Sequence, residues 1–513
     1  MFRQTAYAVA LFISSACGLI IEIVAGRLIA PYVGMSLYTW TAIIAVVLAG
    51  FSVGHWIGGV LAAPHVDAKK GERRVAIALA LSAVSSLASL VLLRTVSIQL
   101  MATGMSLIPL IVVLTSVLFL LPSLFVGIVS PILTKLAVDA DPQRHGRVIG
   151  RMYAIGTLGS IAGTLMAGYV FISWVGSTGT VIAVAAIYAV LALSFVVFDR
   201  KGAVSLAVLA IVGGVFGWWG HTVQAFTSPC DVESDYFCIR VADSSNQTGR
   251  PSALMALDHL VHSINDRDDP GFLFSPYLHA VDELAKQRFI GKPHNFSPRA
   301  FFVGGGGYTL PRAWAADYAN ADLIVAEIDP QVTRAAKDGL WLDPQAPGLA
   351  IHHRDARTLL QALPENEPFD LIFGDAFHDI SIPPHLVSRE FNQEIAKRLT
   401  PAGIYAINVV DSGAKPRFMY SLIKTLKMDF AAVEAWVDQE QAGNPGRVTF
   451  IVVASDTPTA VATLKASRGP TRNWRRWPPG DLDSKIARAH VPVLTDDFAP
   501  VDRLMSRVLM QVD

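Results

Sequence analysis

Charge is scarce in this chain. Only 16% of its 513 residues are Asp, Glu, Lys or Arg, against 52% hydrophobic residues, a balance too apolar for one ordinary soluble enzyme. What charge there is cancels, with 42 basic and 42 acidic residues, so nothing in the balance points to nucleic acid or to an acidic partner. Cysteine is scarcer still, three in all. A cleavable leader is not expected either. The opening apolar segment, about 6–32, is longer than a signal core, lacks a cleavage-type end and is followed by more apolar blocks, so it reads as a retained helix. These averages conceal two unlike halves. Residues 1–220 are nearly continuous apolar blocks, while 230–513 carry most of the acids, histidines and prolines.

A bilayer crossing takes about 20 mostly apolar residues. Seven blocks qualify, at roughly 6–30, 38–63, 75–93, 106–127, 150–172, 179–198 and 203–220. The fourth runs on through Pro122 and Pro131 to Ala137, which leaves room for a kink, a break or a re-entrant segment. Loop charge sets the orientation: Lys69, Lys70, Arg73 and Arg74 follow the second block, Arg144, Arg147 and Arg151 the fourth, and Arg200 and Lys201 the sixth. The alternate loops hold almost nothing beyond Arg94, so the N-terminus is expected in the cytoplasm. Seven crossings then leave the second half outside, in the periplasm of a bacterial inner membrane. Cys230 and Cys238, in CDVESDYFC, read either as a disulfide formed in an oxidising compartment or as two unpaired thiols. Cys17, within the first block, reads as packing.

Charges inside such blocks are costly, by about 2.5–3.5 kcal/mol on insertion scales, and each is a functional candidate. Glu22 and Arg27 lie in IIEIVAGRLIAPYVG and His55 in FSVGHWIGG. They line a polar pathway or substrate contact in the bundle, or else form a buried ion pair or an interfacial snorkel that fixes helix packing. Small-residue spacings, Gly54 with Gly58 and Gly156 with Gly159 and Gly163, suit close helix approach.

From Ser228 the pattern changes. YFCIRVAD and SALMALDHLVHSI are short β-like runs, and from about residue 300 strand and helix alternate. RAFFVGGGG reads as strand and turn, TLPRAWAADY as a helix despite its proline, ADLIVAEIDP as a strand, QVTRAAKDGLW as a helix and LAIHHRDA as strand and turn. FDLIFGDAF, GIYAINVV and VTFIVVAS are further strands. Apolar strands separated by helices indicate a parallel sheet buried on both faces, whose ligands sit at the C-terminal ends of the strands.

Four glycines, Gly304, Gly305, Gly306 and Gly307, occupy that place between the first strand and its helix. Each costs about 0.5–1 kcal/mol of ordering relative to alanine in a regular element. Without side chains their N–H groups can come against a ligand; a tight structural turn is the plainer reading. Glu327 ends the second strand, about 20 residues on, where an acid can accept both ribose hydroxyls. Asp355, in HHRDAR and followed by Ala356, ends the third, and Asp375, in FGDAF, ends the fourth. A lone carboxylate there is commonly a helix cap or a solvated end. Three at successive strand ends beside a glycine loop point instead to an adenosine-type nucleoside, with no metal implied.

These residues resemble the spermidine synthase (polyamine aminopropyltransferase) family, and in particular its bacterial members fused to a multi-span membrane domain. ESDYFCIRV and LMALDHLVHS are similar to the family's N-terminal β-segment, and Tyr277 to its substrate-side tyrosine. GGGGYTLPR, VAEIDP, RDAR and FDLIFGDAF resemble its nucleoside-binding and catalytic stretches, while SIPPHLVSREF, LTDDFAPVDRL and the opening CGLIIEIVAGRLIAPYVG resemble the fused subgroup. The resemblance implies a membrane helical domain (1–222), a small β-domain (228–285) and a Rossmann-like, class I methyltransferase-type domain (286–513). It implies transfer of an aminopropyl group from decarboxylated S-adenosylmethionine to a polyamine or related amine, releasing methylthioadenosine. Glu327 then holds the ribose, Asp355 the adenine, and Asp375 orients and deprotonates the amine, since an ammonium is no nucleophile. A homodimer is a possible assembly.

The chain departs from the family at three places. The fourth residue of the glycine loop, usually aspartate, is Gly307. The usual glutamine of the β-segment is His262, and the second acid of the family's DSSD stretch falls on His378, with Asp379 beside it. All three normally help to hold an amine, so Asp258, His262, Tyr277, His279, Asp375, His378 and Asp379 are expected to form a different polar wall, in which a histidine serves as proton acceptor near neutral pH. Surface exposure is the plain reading of His262 and His378. Two other functions stay open: methyl transfer from S-adenosylmethionine itself, and a transporter or sensor that binds a nucleoside or polyamine without turnover. The segment 467–490, with Trp474, Arg475, Arg476 and Trp477, is basic and proline-bearing; it lies on the lipid surface, covers the pocket or, on the plainer reading, is a surface loop.

Overall fold

The structure is a computed structural model that describes residues 2–62, 67–196, 200–293, 295–376 and 382–510. They form two compact units, Met1–Asp235 and Tyr236–Asp513.

The first unit is helical, as its apolar blocks require. Helices run over Phe2–Val33, Leu37–Leu61, Ala68–Met101, Leu107–Asp139, His145–Met166, Ile172–Ser194 and Arg200–Thr222, with a π-helical turn at Ala167–Phe171. Pro122 and Pro131 lie inside an unbroken helix, so the fourth block is neither split nor re-entrant. Among the described residues five segments are long and apolar enough to cross a membrane: Arg3–Val33, Leu37–Leu61, Ala68–Met101, Leu107–Asp139 and His145–Ser194, while Leu206–Thr222 is a shorter apolar helix. The fifth segment merges two expected blocks into 50 residues, about 75 Å at about 1.5 Å per residue, where a hydrocarbon core is about 30 Å thick. Gly176 interrupts it with φ 75° and ψ 168°, a positive-φ backbone that glycine adopts at no steric cost.

Helix contact follows the small residues. A Cβ on Gly54 would stand 2.2 Å from Leu124 O and 2.9 Å from Gly127 Cα, so Leu37–Leu61 and Leu107–Asp139 touch backbone to backbone. Ile43, Val47, Leu114, Phe119 and Val129 fill the bundle core. Leu37–Leu61 turns its other face outward, and Trp56 and Val60 are 72% and 63% exposed. Cys230 and Cys238 are both disulfide-bonded, and Cys17 is buried as a free thiol.

A two-residue strand β1 (Val232–Glu233) lies at the end of the first unit. The second unit opens with β2 (Cys238–Asp243), β3 (Ser252–Leu257) and β4 (Leu260–Asp266), which pair antiparallel in chain order. Helix Pro276–Phe289 leads into the large sheet. Its strands are β5 (Arg299–Val303), β6 (Asp322–Ala326), β7 (Leu349–His352), β8 (Phe369–Gly374), β9 (Leu399–Ser412), β10 (Ala432–Asp438), β11 (Arg447–Ser455), β12 (Thr463–Lys465) and β13 (Asn473–Arg476).

Among the described residues they lie in the order β12-β13-β10-β11-β9-β8-β5-β6-β7. The block β9-β8-β5-β6-β7 is parallel, and the remaining pairs are antiparallel. From β5 the chain moves out to β6 and β7, then returns to place β8 on the other side of β5. The strand order therefore reverses between β5 and β8, where ligands of such sheets bind. Phe301, Phe302 and Phe373 bury the parallel block, and the Phe302 ring meets Trp314 edge-on at 6.2 Å.

The segment expected to be a basic surface loop is instead partly sheet. Trp474, in β13, is 1% exposed, and Arg476 donates from Nη1 to Glu434 Oε1 at 2.7 Å. Arg468 donates from Nε and Nη2 to the two Asp282 oxygens, each at 2.8 Å. Trp474 and Arg476, two residues apart, share one face of β13, which is paired on both sides, by β10 and by β12.

Candidate active site

The C-terminal ends of β5, β6 and β8 and the turn after β7 surround a cavity of about 220 Å3. The glycine loop forms its floor. Gly304 has φ 99°, and a Cβ there would lie 2.8 Å from the Asp375 carbonyl oxygen. At Gly305 a Cβ would lie 2.6 Å from the Tyr308 ring. Side chains are thus excluded by the protein itself, leaving backbone on the cavity side.

Glu327, only 5% exposed, holds this loop. Its Oε2 accepts from Gly305 N at 2.8 Å and Gly306 N at 3.2 Å, and its Oε1 accepts from Asp329 N at 2.9 Å. Burial pushes the carboxyl above its usual range, and the three N–H groups pull it part of the way back. Oε2 is filled by its two donors, but Oε1 keeps capacity for a further one, so loop ordering and ligand contact are compatible.

Asp355 combines two roles that the sequence left as alternatives. It caps helix Ala356–Ala362 by accepting from Thr358 N at 2.9 Å, and it also lines the cavity beside Ala356. Its other oxygen lies 2.8 Å from His385 Nε2. Burial works upward on this carboxyl, but the Thr358 N–H and His385 outweigh it and leave it below the usual range.

Asp375 is held by side chains instead. The Tyr277 hydroxyl donates to Oδ2 at 2.9 Å and Asn408 Nδ2 donates to Oδ1 at 2.8 Å. Burial pushes this carboxyl up to about 6, against the pull of both donors. Burial and the Asp375 charge keep the Tyr277 phenol far above its ordinary value, so it serves as a donor. An acid so raised and open to a cavity can accept a proton near neutral pH.

The remaining expected residues are placed as follows. His262 lines the cavity. His279 is 1% exposed and is absent from the cavity wall; burial lowers its ring. Asp258 is likewise absent from the wall. At φ 52° it forms the β3–β4 turn, and its Oδ1 accepts from Cys238 N at 2.9 Å, at the start of β2. His378 and Asp379 lie outside the described residues.

Gly307 explains its own departure from the family. A Cβ there would stand 2.4 Å from Ser263 Cβ and 2.9 Å from Leu340 Cδ2. Ser263 Oγ accepts from Gly307 N at 2.7 Å, and Asn265 Nδ2 donates to Gly307 O at 2.8 Å. The small sheet clamps the loop at this residue, leaving no space for an aspartate. Sequence reasoning missed Ser263, His385 and Asn408. The one available signal was Asn408, a polar residue in the apolar run GIYAINVV.

No family model matches the chain. It is 31% identical over 137 residues to the polyamine aminopropyltransferase of Vibrio vulnificus, covering 26% of this chain and 44% of that protein. Over those residues the chain is spermidine synthase-like. A probable polyamine aminopropyl transferase of Bifidobacterium longum is 30% identical over 110 residues, 21% of this chain and 24% of that protein. The chain thus spans less than half the length of these aminopropyltransferases. A probable spermidine synthase of Corynebacterium glutamicum has a TM-score of 0.46 and 19% identity, covering 54% of this chain and 99% of that one.

Proposed function

We propose that the chain is a membrane-integrated aminopropyltransferase. It moves the aminopropyl group of decarboxylated S-adenosylmethionine to a polyamine or related amine and releases methylthioadenosine. The observation that carries the reading is Asp375, a carboxylate raised by burial, steadied by Tyr277 and Asn408, and open to a cavity walled by the glycine loop, Glu327 and Asp355. The strand order, with its reversal beside the glycine loop, supports a Rossmann-like class I methyltransferase-type fold.

The cavity suits the substrate. The side-chain-free backbone of the loop, whose N–H groups are taken by Ala326, Glu327 and Ser263, leaves room for a ribose beside the Glu327 carboxylate, and Asp355 with His385 faces the base. Asp375 takes the proton of the acceptor ammonium, freeing its nitrogen lone pair. That nitrogen attacks the aminopropyl carbon bound to the sulfonium, a C–N bond forms as the C–S bond breaks, and the sulfur leaves as a neutral thioether. The acidic wall also favours the cationic reactants electrostatically.

The bundle supports insertion in a bilayer. Five segments are long and apolar enough to cross it, and faces such as Trp56 and Val60 point away from the protein. Counting Gly176 as a break between two crossings, and Leu206–Thr222 as a short last one, gives seven. Basic loops then keep the N-terminus in the cytoplasm and put the second unit in the periplasm. Reporter fusions at Asp513 and at Lys70 test the orientation.

The activity test is incubation of the purified protein with decarboxylated S-adenosylmethionine and a panel of amines. Methylthioadenosine is the expected product. S-adenosylhomocysteine from S-adenosylmethionine would reassign the protein as a methyltransferase, and no product across the panel would remove the transferase reading.

A further inference from the structure

We infer that the helical unit carries a binding site for a primary alkylammonium ion, with Glu22 as its counter-charge. Four helices of this unit line a half-open cavity of about 270 Å3. Helix Phe2–Val33 contributes Leu11, Ser15, Gly18 and Glu22, at spacings of four, three and four residues, which places them on one stripe. Helix Leu37–Leu61 contributes Leu48, Phe51 and His55, Leu107–Asp139 contributes Val126 and Ser130, and His145–Met166 contributes Ser160.

Glu22 is 9% exposed, and no ion pair to it is found among the described residues. Arg27, the partner suggested by sequence proximity, turns elsewhere, since five residues along a helix is about 140° away from the same face. Its guanidinium donates to Ser234 O at 2.5 Å. A carboxylate surrounded by apolar helices and left without a counter-ion is costly, and here it opens onto a space rather than onto packed side chains.

The walls identify the ligand class. Leu11, Leu19, Leu48, Phe51 and Val126 are apolar, and one carboxylate supplies the charge. A divalent cation takes six to eight oxygen ligands or an octahedral set, and no group of three or more His, Cys, Asp or Glu able to hold a metal is found among the described residues. An alkylammonium matches both parts: its charged end pairs with Glu22 and donates to Ser15, Ser130 or the imidazole of His55, and its methylenes lie on the leucines and Phe51. The volume equals about nine waters at about 30 Å3 each, enough for a short alkyl chain. The inference rests on the bundle and not on the transfer reaction.

The test uses the full-length chain in detergent micelles, carrying Asp375→Asn so that the amine end of the other cavity is silenced. Equilibrium dialysis with radiolabelled 1,4-diaminobutane should find a bound diamine. Adding Glu22→Gln should weaken binding at least about tenfold, while Glu22→Asp should retain most of it. Ser130→Leu, which fills the cavity and keeps the charge, should weaken binding as well, and it decides the question if Glu22→Gln does not fold. Equal binding with and without Glu22→Gln in folded protein, or displacement of the diamine by magnesium at equal concentration, would overturn the site. Loss of transfer in Asp375→Asn with diamine still bound separates the two readings.

Discussion

The two ends of the cavity in the second unit hold their acids in different ways. At the proposed nucleoside end Glu327 accepts three backbone N–H groups. At the proposed amine end Asp375 accepts from two side chains, Tyr277 and Asn408. Backbone donors are fixed by the fold, so the first acid is a rigid frame for a ligand. Side-chain donors leave the second acid tunable, which suits a group that must gain and lose a proton. Asp411 supplies a third case. It is pushed up to about 7 by burial, yet it is fully buried and accepts from Ser412 N and Met419 N. A raised carboxyl therefore does not mark a reactive site unless it faces a space.

Five substitutions test this division, and the largest effect belongs to the tunable acid. Asp375→Asn removes the proton acceptor and should slow methylthioadenosine release by about 10²- to 10⁴-fold, with nucleoside affinity nearly unchanged by calorimetry. Glu327→Gln turns an acceptor of loop N–H groups partly into a donor. It should weaken nucleoside binding by roughly 10- to 100-fold, the equivalent of about 1.5–3 kcal/mol for hydrogen bonds to a charged group. Gly307→Asp restores the family's acid but drives a Cβ into Ser263. Thermal unfolding should show a loss of about 1–3 kcal/mol, with no gain in amine affinity; a gain would mean that the small sheet yields.

Tyr277→Phe acts through the proton. Transfer needs ionised Asp375, so activity falls as pH drops through about 6. Losing a donor to the ionised form, worth about 1 kcal/mol, should move this acid limb upward by roughly 0.7 of a pH unit. A downward movement in the pH–rate profile would reverse the assignment. Smallest of all, Asp411→Asn should change turnover by less than about twofold while costing about 1 kcal/mol of stability, because its carboxylate serves only backbone.

The strand-end acids were legible in the sequence for a physical reason. Parallel strands are short, apolar and regularly spaced, so the acids that end them, Glu327, Asp355 and Asp375, declare their position. The groups that hold the loop and Asp375 were not, because they arrive from distant elements. Ser263 reaches Gly307 across 44 residues and Asn408 reaches Asp375 across 33. Asp258 misled because a positive-φ turn and a binding site favour the same residue types. Residues 473–476 misled in the opposite direction, as a strand whose arginines look like a loop until Glu434 is seen beside them. In the bundle the apolar blocks gave the helices, but the merger of two of them around Gly176 was invisible to hydropathy alone.

The most direct measurement is a single-turnover assay of methylthioadenosine release from decarboxylated S-adenosylmethionine and a productive amine, run with the native chain and with Asp375→Asn, nucleoside binding being followed in the same samples. Both proteins should bind the nucleoside, and the native chain alone should release methylthioadenosine. Equal release by both, or no nucleoside bound by either, would contradict it.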